Sequence, residues 1–341
     1  MSLAALRGRL LAWTEADGLW LALRRVGEYA ALRLWTTVID CFPIDLNLRT
    51  ARLMGRIWWL AMRRHRDRAM EHLRAALGDV HEEAELRRIA RRSFEHFAQL
   101  YLVEMVQTPR IVSEWSWARY CVLDGLGPAL RAMLSGRGAV LLTGHFGNYE
   151  LLGYTVSRLG LPLTAVMRPL DNPLLNEMLV ESRRAGGLSL LAKKGVTEAA
   201  QRVVDAGGSL AFIADQDAGK KGAFVDFFGR KASTYKSIGL LAMAKRVPVI
   251  VGYAVRVRPG FHYRLSIERV IEPQEWDAQP DPLLWITQEY THALERAIRR
   301  HPEQYLWIHR RWKHQPRDAQ EAAGRRAPES VVRPAASPAE A

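Results

Sequence analysis

From about residue 120 onwards, short apolar runs alternate with longer segments of helical periodicity. Six runs have the length and composition of buried strands: GAVLLTG, LPLTAV, LSLLA, GSLAFIAD, VPVIVGYAV and HYRLSIERV. The segments between them, such as NYELLGYTVSRLG and TYKSIGLLAMAKR, place apolar residues at helical spacing, and PLLWITQEYTHALERAIRRHPEQ supplies a closing helix. Strands that alternate with helices at this spacing predict an α/β fold with a mostly parallel central sheet flanked by helices.

The chain before this alternation has a different character. Up to about residue 110 it is predicted to be helical, with one long amphipathic helix ending at Gly78 and another broken near Pro109. The last residues are rich in Ala, Pro, Glu and Arg and have no apolar period, which predicts disorder. The predicted organisation is therefore a helical, membrane-associating region over residues 1–115, an α/β domain over 116–315 and a disordered tail over 316–341.

Charge and tryptophan content favour a membrane surface as one partner. The formal net charge is +13, which favours anionic partners, and the eleven tryptophans favour a membrane interface. Residues 28 to 46 come nearest to a membrane span, but Arg33, Asp40 and Pro43 interrupt them, so they fall short of the ~20 apolar residues that crossing requires. No cleavable signal is expected at the N-terminus. We predict interfacial attachment to an anionic membrane; the alternative is an ordinary amphipathic subdomain packed on the core.

A histidine and a glutamate flank a turn in GHFGNYE, directly after the predicted strand AVLLT. On one continuous helix, His145 and Glu150 would point about 140° apart, so they can meet only across a turn. Gly144 and Gly147 would give that turn its freedom. A carboxylate bonded to one ring nitrogen would leave the other as a general base. The competing interpretation is a helix-capping histidine beside a surface glutamate.

A second strand end is followed by DQDAGKKG, in which Asp215 and Asp217 leave the strand together. This pattern is compatible with a D-x-D metal site of the glycosyltransferase type. Alternatively, Asp215 orients an arginine or the loop near the active centre. The simplest alternative is an Asp-rich turn, because Asp and Gly are common turn residues.

Arginines form two further candidate sets. Arg168 follows a predicted strand, and Arg183 falls near the end of the next helix, where basic residues are also favoured by the helix dipole. In a cleft, such a guanidinium would bind phosphate or stabilise an oxyanion. Near the C-terminus, Arg310 and Arg311 lie among aromatic residues in YLWIHRRWK, as a membrane- or phosphate-facing patch or as the basic flank of a core strand.

Several chemistries have no matching motif in the sequence. There is no G-x-S-x-G elbow, H-E-x-x-H helix, Walker A loop or G-x-G-x-x-G fingerprint. Neither Cys41 nor Cys121 follows a strand end in the α/β region, so a thiol nucleophile is not expected. We expect no metal and no cofactor.

Four stretches together resemble the bacterial lipid A biosynthesis acyltransferases, which have a glycerolipid acyltransferase-like fold. The stretches are GHFGNYELLG, MRPLDNP, IADQDAG with FVDFFG, and PEQYLWIHRRWK, and the similarity runs from about residue 28 to 317. The resemblance implies transfer of a fatty acyl chain from acyl carrier protein or coenzyme A to a hydroxyl of a lipid A precursor or related glycolipid. It implies attachment to the cytoplasmic face of the bacterial inner membrane, and nucleic acid is not an expected partner.

By motif position, the resemblance implies that His145 is the catalytic base, Glu150 its partner, and Arg183 and Asp215 the other functional residues. The implied substrate-binding residues are Arg168, Asn172, Asp217, Arg310 and Arg311. The expected mechanism is direct attack without an acyl-enzyme, with Arg183 steadying negative charge and Asp215 positioning Arg183 or the acceptor. The alternatives are a thioesterase, in which water replaces the lipid hydroxyl, and a lipid-binding protein without catalytic activity.

Overall fold

The computed structural model describes residues 3–192 and 196–316, and its centre is a seven-stranded sheet. The strands are β1 Cys121–Asp124, β2 Ala139–Thr143, β3 Leu163–Met167, β4 Ser189–Ala192, β5 Ser209–Ile213, β6 Ala223–Phe227, β7 Arg230–Thr234, β8 Val249–Arg258 and β9 His262–Ile271. The sheet order is β1-β9-β8-β2-β5-β3-β4, and β6 pairs with β7 in a separate hairpin. Only the β8–β9 pair of the large sheet is antiparallel, so the predicted mostly parallel sheet is confirmed.

All six predicted strands are present, and β1 and the β6–β7 hairpin are additional strands that were not predicted. The helices of this part are α7 Trp117–Tyr120, α8 Gly127–Met133, α9 Tyr149–Arg158, α10 Pro173–Ala185, α11 Val196–Asp205, α12 Lys236–Lys245, α13 Pro273–Asp277 and α14 Pro282–Arg300. A 3₁₀ turn, Pro302–Gln304, follows α14.

The N-terminal part is helical, as predicted. It consists of α1 Leu3–Asp17, α2 Leu19–Asp40, α3 Ile44–Ala61, α4 Arg63–Leu77, α5 Glu83–Gln99 and α6 Met105–Ile111. Gly78 caps α4, but the backbone breaks at Met62, so α3 and α4 are two helices. The predicted break near Pro109 is confirmed, because α6 ends at Ile111, two residues after the proline, and a π-helical turn upstream, Leu100–Glu104, was not predicted.

Two predictions about the ends of the chain have different outcomes. Among the helices of residues 3–192 and 196–316, none is long and apolar enough to cross a membrane. The predicted disordered tail, 316–341, lies outside the described residues except for Pro316.

The strand order places a crevice beside β2. The connection from β2 leads to β3, towards the β4 edge of the sheet. The connection from β5, the immediate neighbour of β2, leads through the hairpin and α12 to β8, towards the β1 edge. Ligands of open α/β sheets bind at the carboxyl ends of strands where connections diverge in this way. A ligand site is therefore expected at the carboxyl ends of β2 and β5.

Candidate functional site

His145 and Asp215 meet because β2 and β5 are parallel neighbours in register. Thr143 lies opposite Ile213, and the Ala214 amide donates to the Thr143 carbonyl, so the residues that follow are also side by side. The His145 ring Nδ1 lies 2.9 Å from Asp215 Oδ1, and the His145 backbone N–H donates to Asp215 Oδ2 over 2.9 Å. Asp215 thus holds both the ring and the backbone of the histidine, which leaves Nε2 as the outward nitrogen.

The predicted contact between His145 and Glu150 is wrong. Glu150 lies in the first turn of α9, as expected, but its side chain forms a two-point ion pair with Arg183 of α10. Of the two roles expected for Asp215, the positioning of Arg183 is wrong for the same reason, and the positioning of the acceptor stays a prediction. The strand register brings the distant Asp215 against the imidazole, and α10 brings Arg183 against the glutamate.

The turn between β2 and α9 requires glycine at one position. Gly147 has a φ of 57°, and a Cβ atom there would lie 1.9 Å from the Ala254 carbonyl oxygen. The next residue, Asn148, is the N-cap of α9, and its side-chain oxygen accepts from the Leu151 amide. The Leu306 amide donates to the His145 carbonyl, so the segment after α14 also holds the turn.

A buried carboxylate supports the same turn from behind. Glu104 is fully buried and accepts hydrogen bonds from Asn148 (2.9 Å) and Tyr263 (2.6 Å), and it forms an ion pair with Arg256. Buried charges are stable only when paired and hydrogen-bonded, and this group satisfies both conditions. Glu104 was not among the predicted residues, although it is a lone acidic residue in the apolar segment LYLVEMV.

The electrostatics of the pair suit a base. Burial alone would lower the pKa of His145, but the charge and hydrogen bond of Asp215, with a further contribution from Glu150, raise it above the ordinary value. Burial tends to raise the pKa of Asp215, yet the adjacent His145 lowers it to about 2. The carboxylate is therefore ionised throughout the neutral range and favours the protonated imidazole.

Three further side chains surround the imidazole, and none was among the predicted site residues. The Gln216 Nε2 lies 3.5 Å from His145 Nε2, and the His309 ring is stacked on the His145 ring at 5.7 Å between centroids. Tyr149 contacts the same ring edge-on at 5.4 Å. Burial lowers the pKa of His309, so this second imidazole is neutral at neutral pH. Gln216 is the residue between the two aspartates, which is the signal that could have found it.

An apolar cavity of about 490 Å³ opens beside the pair. Its mouth includes His145, Glu150, Arg183 and Gln216, and its walls are mostly aliphatic. The deeper walls come from α8, β3 and the middle of the sheet, and include Leu130, Met133, Leu163, Leu188, Ile250 and Ile267. Ligand pockets commonly have volumes of roughly 300–1,000 Å³, so the cavity is large enough for a substantial apolar group.

The predicted substrate-binding residues divide into two groups. Arg168 is exposed at the cavity mouth, and Arg310 is exposed on the C-terminal segment, so both stay predictions. Asn172 is buried away from the cavity lining as the N-cap of α10, and its amide donates to the Arg25 carbonyl and to Glu28. In the structure it joins α10 to α2, and its contact with substrate stays a prediction.

Asp217 and Arg311 also have structural partners. The Asp217 carboxylate lies 2.6 Å from His314 Nδ1. Arg311 is only 1% exposed and donates to the carbonyls of Gln216 and Ser233. Both side chains fasten the loop after β5 to the C-terminal segment. Neither side chain lines the apolar cavity, and the substrate-binding role of both residues stays a prediction.

The D-x-D pattern does not place its two carboxylates together. Asp215 is bonded to His145 and Asp217 to His314, on different sides of the loop. Within the described ranges, 3–192 and 196–316, no group of three or more His, Cys, Asp or Glu side chains has the arrangement of a metal site.

The sequence matches the family described as bacterial lipid A biosynthesis acyltransferase over residues 14–314. It is 28% identical over 212 residues to the lipid A biosynthesis palmitoleoyltransferase of Escherichia coli (strain K12), covering 59% of this chain and 66% of that protein. It is 25% identical over 291 residues to the lipid A biosynthesis lauroyltransferase of the same strain, covering 83% and 90%. A lipid A biosynthesis acyltransferase of Haemophilus influenzae is 30% identical over 185 residues, 52% and 57% of the two chains.

The match to the palmitoleoyltransferase thus spans just under two thirds of that relative's length. The family match, by contrast, covers most of this chain and includes β2, β5 and both residues of the histidine–aspartate pair. The chain belongs to the bacterial lipid A biosynthesis acyltransferase family.

Proposed function

We propose that this protein is an O-acyltransferase that moves a fatty acyl chain from a thioester of acyl carrier protein or coenzyme A to a hydroxyl of a lipid A precursor or related glycolipid. One observation supports this function above all: a histidine held by a buried aspartate stands at the mouth of a large apolar cavity. The cavity suits an acyl chain, and the histidine suits the activation of a hydroxyl.

In the proposed reaction the acceptor hydroxyl binds against His145 Nε2. The imidazole takes the hydroxyl proton while the oxygen attacks the thioester carbonyl, and Asp215 stabilises the imidazolium that forms. The tetrahedral intermediate collapses by breaking the carbon–sulfur bond, and the imidazolium returns the proton to the departing thiolate. No acyl-enzyme is formed, and the histidine ends the cycle neutral.

Gln216 is the proposed donor to the negative oxygen of the intermediate. Its side-chain nitrogen lies 3.5 Å from His145 Nε2, on the side of the ring where the reacting atoms would meet. An amide does not titrate, so it donates at every pH at which the base works. The Arg311 guanidinium donates a hydrogen bond to the backbone carbonyl of Gln216 and thereby fixes the position of this residue.

The Glu150–Arg183 pair has a proposed role at the entrance. Both side chains line the cavity mouth and each neutralises the other, so they present a polar, hydrogen-bonding rim without net charge. The nearby exposed Arg168 is paired with the exposed Asp171 at 3.1 Å, and in the proposal its guanidinium supplies a further hydrogen-bond donor for an anionic part of the donor or acceptor. We further propose that the protein works at the cytoplasmic face of the inner membrane, where both lipid and donor are accessible.

The test is an assay of purified full-length protein with labelled acyl thioesters of carrier protein and of coenzyme A, together with a panel of glycolipid acceptors. Acylated lipid detected by mass spectrometry is the expected product, and it disappears in His145→Ala. Release of free fatty acid alone would instead identify a thioesterase. Binding of lipid without either product would identify a lipid-binding protein.

A further inference from the structure

A second cavity, of about 600 Å³, lies between α3, α5 and the β8–β9 turn. We call it the arginine cavity, because its lining includes Arg49, Arg52, Arg92, Arg256 and Arg258. It is distinct from the apolar cavity, with which it shares no lining residue. None of its arginines has a task in the proposed acyl transfer.

Three of these guanidinium groups have no carboxylate partner within the described part of the chain. Arg52 is paired with Glu95 at 2.6 Å, and the buried Arg256 is paired with Glu104. Arg49, Arg92 and Arg258 are exposed, and within residues 3–192 and 196–316 the only hydrogen bond of the Arg258 side chain goes to His262.

The carboxylates of this cavity do not balance those three groups. Glu95 is paired with both Arg52 and Arg56, so its negative charge is already compensated. Asp45 and Glu303 are the other acidic lining residues. Three unpaired guanidinium groups therefore outnumber two carboxylates, which favours an anionic ligand with several acceptor oxygens, such as a phosphate.

Helix α3 indicates where that phosphate would come from. Its inner face is buried, and the opposite side exposes large apolar residues, with Leu53 55%, Ile57 56% and Leu60 70% exposed. Arg49 and Arg52 lie on the flank between these two faces. An exposed apolar face bordered by arginines is the pattern of a helix lying in the plane of a membrane interface.

We propose that the arginine cavity binds the phosphate of an anionic phospholipid headgroup while the exposed side of α3 rests in the acyl layer of the same leaflet. This inference deepens, and rests on, the membrane association in the proposed function. It also places the surface close to the chemistry, because His96, in the cavity lining, bonds through Nε2 to the Gly147 carbonyl of the His145 turn at 3.1 Å.

The experiment compares binding of the full-length protein to vesicles of phosphatidylcholine alone and of equimolar phosphatidylcholine and phosphatidylglycerol. The test variant combines Arg49→Gln, Arg92→Gln and Arg258→Gln. The control combines Arg87→Gln, Arg131→Gln and Arg264→Gln, which removes the same charge from exposed arginines that also lack an ion pair within residues 3–192 and 196–316. Thermal unfolding verifies that both variants are folded.

The expected result is that the test variant binds anionic vesicles roughly a hundred-fold more weakly than wild type, while the control loses far less. A separate variant, Leu53→Ser with Ile57→Ser, should bind both kinds of vesicle more weakly, since it removes apolar contact and keeps every charge. This second variant tests the orientation of α3 independently of the arginines.

Each other outcome has a definite meaning. If wild type binds neither vesicle, membrane association itself is refuted. If wild type binds anionic vesicles and the test and control variants lose the same amount of affinity, binding depends on overall charge and the cavity assignment is wrong. If inorganic phosphate raises the unfolding temperature of wild type but not of the test variant, with vesicle binding unchanged, the cavity is a site for free phosphate. If the α3 variant changes only the oligomeric state, the apolar side is a contact between copies of the chain.

Discussion

Replacement of Asp215 by asparagine is the sharpest test of the histidine–aspartate pair. Asparagine keeps the size of the side chain and removes its charge. In the wild type the Asp215 carboxylate lies 2.9 Å from Nδ1 and raises the pKa of His145 against the opposing effect of burial. An opposite charge at this range typically shifts a pKa by about one to three pH units. In the asparagine variant the pKa of His145 should no longer be raised by this charge.

The direction of the pH effect follows from the role of the imidazole. A base must be neutral to accept a proton, so kcat/KM of the wild type falls as the pH drops through the raised pKa of His145. In Asp215→Asn this pKa decreases, and the acidic limb of the profile should move to lower pH by about one unit or more. The plateau should nevertheless drop by about 100- to 10,000-fold, because the imidazolium loses its stabilising charge and its fixed orientation.

Glu150→Gln is the matched control, since it removes a carboxylate from the same mouth without touching the imidazole. Glu150 contributes to the raised pKa of His145 only through its charge. Its loss should therefore move the acidic limb less than the Asp215 variant does. The assay is kcat/KM for the acceptor from pH 5 to 9, measured as the initial rate of acyl transfer at acceptor concentrations well below KM. A larger shift in the Glu150 variant, or no shift in the Asp215 variant, would show that the wrong carboxylate has been assigned to the base.

Three more predictions follow from neighbouring contacts. Gln216→Ala should lower kcat about 100-fold or more with little change in KM, which steady-state kinetics will measure, because an oxyanion donor acts only in the transition state. Gly147→Ala should lower the unfolding temperature strongly, since its Cβ would lie 1.9 Å from the Ala254 carbonyl oxygen at a positive φ; an unchanged melting curve would refute the geometry of this turn. Glu104→Ala should cost about 3–5 kcal/mol in urea unfolding, because it leaves Arg256 buried and unpaired.

The sequence was sufficient to predict the layers of the fold, for a physical reason. Strands such as AVLLT and VIVGYAV are buried on both faces of the sheet, so they are continuous apolar runs that stand out from amphipathic helices. The elements that were missed lack that signal. β1 is four residues long at the sheet edge, and β6 of the hairpin alternates buried with less buried positions within a segment that resembled a functional loop.

The partner of His145 could not be predicted from the pattern alone. His145 and Asp215 are 70 positions apart, and they meet only because β5 returns between β2 and β3. Strand order depends on long-range packing, which local periodicity does not encode. The nearest carboxylate in the chain, Glu150, was therefore the natural but incorrect choice, although both strand-end residues were identified as candidates.

The pairing of His145 with Asp215, and of Glu150 with Arg183, has a chemical consequence for the cavity mouth. If Glu150 held the imidazole, Asp215 would be a buried carboxylate without its histidine partner, and Arg183 would be an unpaired cation beside an apolar wall. Each of those unpaired charges would be costly in a low-dielectric environment. In the observed arrangement Arg183 neutralises Glu150, so only Asp215 acts strongly on His145. The mouth can thus hold a base whose pKa is raised by one partner, and it does not accumulate negative charge that would repel an anionic lipid.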